Sequence, residues 1–132
     1  RTAPYLALVA SGIGITPGRS LLEDTDLAPG EATVLLRGTD ADQQYLWQET
    51  ADLAAATGSR LYTMVGRRAH SRESWMTEED VRRGVSLRSV FPDLLDSDLY
   101  VCGPRAWSDL VVREARLAGV PEHQIHHERF ES

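Results

Sequence analysis

Short apolar runs alternate with helix-like stretches along the whole chain, and this constrains the fold more than any other feature. Tyr5-Leu6-Ala7-Leu8-Val9 and Thr33-Val34-Leu35-Leu36 are near-continuous apolar runs. Runs without polar alternation read as strands buried on both faces, as in a parallel sheet. Leu61-Tyr62-Thr63-Met64-Val65 and Leu99-Tyr100-Val101-Cys102 supply a third and fourth strand, and 124–130 a fifth. A short helix is expected over 19–23, followed by a Pro29-Gly30 turn. A longer helix over 43–56, capped by Asp40 or Asp42, places Leu46, Thr50, Leu53 and Ala54 on one face and stops at Gly58. Thr77 before Glu78, Glu79 and Asp80 reads as a helix start, with acids at the positive end of the dipole. Phe91-Pro92 marks a turn. A helix over 105–118 places Trp107, Leu110, Val111, Leu117 and Ala118 together, and Gly119 with Pro121 ends it. Strands separated by helices predict an α/β fold: a doubly wound, open, parallel five-stranded sheet with helices on both faces. The expected strand order is 3-2-1-4-5.

The 132 residues make one domain, and 42% hydrophobic with 26% charged residues is the composition of a globular protein. The net charge of −6 argues against general nucleic-acid binding. All 14 basic residues are Arg, which excludes a P-loop lysine and a Schiff-base lysine. The longest apolar run, six residues from Tyr5, is far short of the ~20 of a membrane helix. A soluble piece is therefore expected, and the first residue, Arg1, suggests one excised from a longer chain. Cys102 is the single cysteine, so neither an internal disulfide nor a cysteine-rich zinc site can form. A reducing, cytoplasmic setting fits.

Open parallel sheets bind ligands beyond the carboxyl ends of their strands. Three turns there have suitable composition. Ser11-Gly12-Ile13-Gly14-Ile15-Thr16-Pro17-Gly18 follows the first strand, Val65-Gly66-Arg67-Arg68 the third, and Cys102-Gly103-Pro104 the fourth. Glycines at 12 and 14 let a cofactor approach the backbone, and the next helix N-terminus favours a pyrophosphate. Alone, the first turn is weak evidence, because its third fingerprint glycine is displaced and such turns also simply make tight corners.

Together, GIGITP at 12–17, CGP at 102–104 and IHHERF at 125–130 resemble the NAD(P)H-binding half of ferredoxin–NADP reductase-type flavoproteins. The resemblance covers about residues 3–130, and 90–129 looks most like the ferric reductase and NADPH oxidase branch. It implies that Gly12, Ile13, Gly14, Ile15, Thr16 and Pro17 line the pyrophosphate and nicotinamide, and that Cys102, Gly103 and Pro104 sit beside the nicotinamide ring. Glu128 and Phe130 would lie where nicotinamide meets flavin, with Cys102 and Glu128 tuning polarity and Phe130 shielding the flavin face. Cys102, Glu128 and Phe130 are thus the candidate catalytic residues. Packing alone also accounts for Phe130 as an end-strand aromatic and for Cys102 as a small buried residue. Hydride transfer needs no protein nucleophile, so no triad is expected.

The family often carries Ser-Arg after the third strand to bind an adenosine 2′-phosphate; here the matching pair is Gly66-Arg67. Arg37 at the end of the second strand, with Arg67 and Arg68, favours NADPH over NADH, since a 2′-phosphate needs a cationic fork. NAD remains an alternative, and solvated surface arginines are the plain reading of Arg67 and Arg68. The flavin motif R-x-Y-[ST] is matched by letter at Arg60-Leu61-Tyr62-Thr63, but inside a strand and after the glycine turn, and is read as coincidence. FAD is therefore expected on an upstream barrel domain absent from these 132 residues, leaving the piece colourless and inactive alone. The branch resemblance adds an expected heme-bearing transmembrane domain and a parent protein in the cell membrane.

Three rival readings differ in class. Ser11, Asp93 or Asp109, and His126 or His127 follow the serine–acid–histidine order of a hydrolase, but the G-x-S-x-G elbow is missing. His123, His126, His127 and Glu128 form a cluster of metal-ligand residue types. Neighbours on a strand point to opposite faces, however, and no metal site is expected. A nucleotide-sensing domain without redox chemistry would share the fold.

Overall fold

The computed structural model describes residues 3–11, 22–23, 26–38, 44–66 and 74–130. Five strands form one sheet: β1 (Tyr5–Ser11), β2 (Ala32–Gly38), β3 (Arg60–Val65), β4 (Ser97–Pro104) and β5 (Ile125–Phe130), in the order β3-β2-β1-β4-β5. Every pairing is parallel. The expected order and sense are both found. All strands run the same way, so their carboxyl ends form a single rim.

Side chains alternate across the sheet and build two cores. Ala7, Val9, Leu35, Leu99 and Val101 face one side with Trp75, Phe91, Trp107 and Val111. Leu6, Leu8, Ala10, Val34, Leu36 and Cys102 face the other, with Leu53 packed against them. This is why β1 reads as a continuous apolar run: it is central and covered on both faces. By contrast β3 is an edge strand, with only Met64 of its six residues buried.

Helix α1 (Gln44–Thr57) lies on the second face through Leu53, with Thr50 and Ala54 buried. Leu46 and the capping candidates Asp40 and Asp42 fall outside the described side chains and residues, as does most of the expected helix over 19–23. Helix α2 (Glu78–Arg82) begins where expected: Thr77 accepts from the Asp80 amide at 3.2 Å, and three acids fill the first turn. Helix α3 (Leu87–Val90) carries a capping box between Ser86 and Ser89.

Helix α4 (Arg105–Ala118) covers the first face and stops at Gly119, whose φ of 101° closes the helix in the left-handed conformation glycine tolerates. Its buried residues are Trp107, Ser108, Val111, Val112 and Ala115, a stripe of i, i+4 steps. The expected face is corrected at one position. Leu117 is 79% exposed, because it follows Val111 by six residues and so lies well round the helix from it. Leu35→Ala should therefore lower unfolding free energy by about 2–5 kcal/mol in denaturant titration. Leu117→Ser should change it by less than about 0.5 kcal/mol. Equal losses at the two positions would contradict this division of the core.

Candidate functional site

The site is built at the carboxyl rim, where the register sets what stands beside what. Cys102 on β4 lies beside Ala10 on β1 and Glu128 on β5, and Pro104 beside Phe130. Ser11 lies beside Arg37, and Arg37 beside Met64. The sheet thus brings Cys102, Gly103, Pro104, Glu128 and Phe130 to one end of the rim, and Arg37 and Gly66 to the other. Gly12, Ile13, Gly14, Ile15, Thr16, Pro17, Arg67 and Arg68 lie outside the described residues, as does the side chain of Phe130.

Cys102 is buried, with 6% of its surface exposed, while Glu128 beside it is exposed. Burial, with the Glu128 charge adding to it, pushes the thiol up to about 11 from 9.0. At neutral pH this position therefore presents an uncharged S–H rather than a thiolate. The next residue, Gly103, faces the opposite core, where an added Cβ would stand 2.6 and 2.7 Å from the Trp107 ring. No other residue fits there without displacing the indole. The Ser108 hydroxyl donates to the Gly103 carbonyl at 3.0 Å and fixes the turn from below.

At the other end, Gly66 has φ 140° and donates its amide to the Gly38 carbonyl at 3.0 Å, tying the tips of β3 and β2 together. A Cβ there would meet only the Thr77 side chain, its methyl at 3.6 Å, so the backbone rather than crowding demands glycine. Arg37, expected to offer its guanidinium to a 2′-phosphate, points it elsewhere. The residue is 3% exposed and donates through Nε to the Trp75 carbonyl at 3.3 Å and through a terminal nitrogen to the Gly38 carbonyl. Sequence reasoning passed over Trp75, whose carbonyl takes a second hydrogen bond, from Trp107 Nε1, at 3.1 Å. Its own indole N–H donates to Glu114 at 2.9 Å, and Glu114 also accepts the Leu87 amide at 2.6 Å. Nothing periodic surrounds Trp75, so no sequence signal marks it.

The rival constellations do not assemble. Ser11 ends β1, whereas Asp93 precedes β4 and pairs with Arg60, the first residue of β3, at 3.7 Å. Asp109 is exposed on α4. His126 stacks on Tyr100 with ring centroids 4.6 Å apart, and its Nε2 lies 3.5 Å from the buried Asp98. Among the described residues no three His, Cys, Asp or Glu converge as metal ligands.

Two outcomes follow from the Cys102–Gly103 geometry. Thiolate absorbance in the folded chain should titrate near pH 11, and the titration should move downward in Glu128→Gln because a negative neighbour is removed. Because the folded thiol holds its proton above the unfolded value, this group's contribution to stability is complete below pH 9 and declines as pH rises towards 11. A folded-state titration at or below pH 9 would contradict the burial. Gly103→Ala should cost about 1–3 kcal/mol of stability in denaturant titration. No change on that substitution would mean that the indole does not support the turn.

Among known protein families, the oxidoreductase NAD-binding domain family matches residues 8–113. The chain is 26% identical over 130 residues to a flavohemoprotein of Vibrio cholerae, covering 95% of this chain and 30% of that protein. It is 28% identical over 134 residues to a flavohemoprotein of Xylella fastidiosa, covering 95% and 31%. It therefore spans about a third of the curated relatives it matches. Among solved structures, the flavohem-like FAD/NAD-binding domain of nitric oxide dioxygenase from Vibrio cholerae superposes with a TM-score of 0.73 at 23% identity, covering 100% of this chain and 53% of that one. The Amycolatopsis cytochrome P450 reductase GcoB gives 0.68 at 17%, covering 100% and 39%. Both share the fold. With the parallel 3-2-1-4-5 sheet and the rim already described, the family match leads to one conclusion: this chain belongs to the oxidoreductase NAD-binding domain family of ferredoxin reductase-type proteins.

Proposed function

We propose that this chain is the NADPH-binding module of a flavin reductase, which presents its dinucleotide to an FAD held by an upstream domain. The observation that carries the reading is the rim at β4–β5. A buried, uncharged thiol stands beside an exposed carboxylate there, next to a glycine where any side chain would press on the Trp107 ring. The residues fit a nicotinamide in kind: Cys102 carries no charge at neutral pH, and Gly103 adds no side chain to the strand end beside it.

A bound NADPH supplies the hydride, and this chain's residues bind it, orient it and exclude water. The glycine turn of Gly12, Ile13, Gly14, Ile15, Thr16 and Pro17 receives the pyrophosphate and the nicotinamide ribose. Cys102, Gly103 and Pro104 bound the ring. Glu128, exposed on the edge strand, and Phe130 at its end would lie where the nicotinamide meets the flavin of the neighbouring domain. Gly66, Arg67 and Arg68 receive the 2′-phosphate, the two arginines supplying charge that the missing serine hydroxyl does not. Two relatives support the electron-transfer setting by their names, a flavohemoprotein and a P450 reductase. On the resemblance over 90–129, the parent protein is a ferric reductase-like membrane flavocytochrome with this module on the cytoplasmic side. Among the described residues no helix is long and apolar enough to cross a membrane.

Isothermal calorimetry on the 132-residue chain tests the reading. NADP⁺ should bind at least about tenfold more tightly than NAD⁺, and Arg67→Ala should bring the two within about twofold. Equal affinities in the unmodified chain, or a preference that survives Arg67→Ala, would contradict the assignment of the 2′-phosphate.

A further inference from the structure

One main-chain carbonyl, that of Trp75, joins the two ends of the rim. From the β2 side it accepts Arg37 Nε at 3.3 Å. From the α4 side it accepts Trp107 Nε1 at 3.1 Å. Each donor also braces a different turn. Arg37 donates to the Gly38 carbonyl, which itself receives the Gly66 amide at the exit of β3, and reaches towards the Met64 carbonyl at 3.5 Å. The Trp107 ring packs under Gly103 so closely that a Cβ there would stand 2.6 Å from it. Arg37, Trp75 and Trp107 are 3%, 1% and 5% exposed, so water does not substitute for these bonds. A buried acceptor shared by two donors favours one relative placement of the elements that carry them.

We infer that Arg37 is a positioning residue rather than a phosphate ligand. Through the Trp75 carbonyl and Trp107, it sets the spacing between the β2–β3 tips and the Cys102-Gly103-Pro104 turn. This inference rests on the proposed dinucleotide reading, in which the adenosine end lies over the first of these places and the nicotinamide end over the second. The consequence is specific. A dinucleotide must reach both ends at once, so losing either donor weakens NADP⁺ and NAD⁺ alike. A phosphate ligand at the same position would instead affect NADP⁺ alone.

The test uses the 132-residue chain with Arg37→Met, Trp107→Phe and the double variant. Calorimetric Kd values for NADP⁺ and NAD⁺ are measured well below each protein's thermal unfolding midpoint. Arg37→Met keeps an unbranched stem and removes the guanidinium; Trp107→Phe keeps an aromatic ring and removes the indole N–H. Each single variant should weaken both nucleotides by the same factor, about threefold to tenfold, with the NADP⁺/NAD⁺ preference unchanged. The double variant should lose little more than either single one, because the two donors act on one acceptor. Selective loss of NADP⁺ in Arg37→Met, unchanged affinities in folded single variants, or losses that multiply in the double variant would each overturn the inference. If Arg37→Met does not fold, Arg37→Gln takes its place: equal weakening of both nucleotides upholds the coupling, and unchanged binding or selective loss of NADP⁺ ends it. An unmodified chain that binds neither nucleotide refutes the dinucleotide reading itself and the inference with it. Failure of the variants in a binding-competent chain refutes the inference alone.

Discussion

Parallel pairing of β1 with β2 on one side and β4 on the other is the constraint on which everything else rests. A central strand in parallel register aligns the carboxyl ends of its neighbours. The turns that leave those ends then crowd onto one rim of the sheet. Leu8 and Val9 are both fully buried although they point to opposite faces, so a one-residue slip would exchange the two cores rather than expose one. Crossover helices fix the register: α1 holds the second face through Leu53, and α4 the first through Val111, Val112 and Ala115.

The rim is polar and glycine-bearing where the sheet behind it is apolar, and the contrast comes from packing. Behind Cys102 the core is aliphatic, which raises the thiol's affinity for its proton. Behind Gly103 the core is aromatic, which leaves no room for a side chain. Two adjacent residues on one strand thus acquire different chemistry from the two layers they face. Glu114 reaches from α4 to both the Trp75 indole and the Leu87 amide, so the irregular segment around residues 74–90 is held by hydrogen bonds as well as by its apolar residues.

Much of this was legible in the sequence because it depends on local pattern. The apolar runs at 5–9 and 99–102 needed only burial on two faces to be read as strands, and the Gly119 stop needed only its backbone preference. The β4 strand runs on through Gly103 to Pro104, beyond the point where those residues read as a turn, because β5 pairs with it to the end. Leu117 was misplaced because a face drawn through every apolar residue of a helix is rotated from the stripe that packing buries, and Leu117 lies on the far side of that stripe. The destination of Arg37 was illegible for a different reason. A strand-end arginine near an expected phosphate site looks like a ligand, and only the tertiary position of Trp75, 38 residues away, supplies the carbonyl that takes it. Trp75 carries no local signature, and helical spacing places Trp107 on the buried face without saying where its N–H goes, since an indole N–H declares its partner only in three dimensions.

The central claim is that the carboxyl rim of this sheet, as one surface, receives a pyridine dinucleotide. Backbone amide NMR of the 132-residue chain during titration with NADP⁺ tests it most directly. The account predicts that the perturbed amides gather at the rim, at Ser11, Gly38, Gly66, Cys102 and Gly103, while those at the opposite ends of the strands, at Ala32, Arg60 and Ser97, stay in place. Perturbations gathered at the amino ends of the strands, or none at saturating nucleotide, would contradict it.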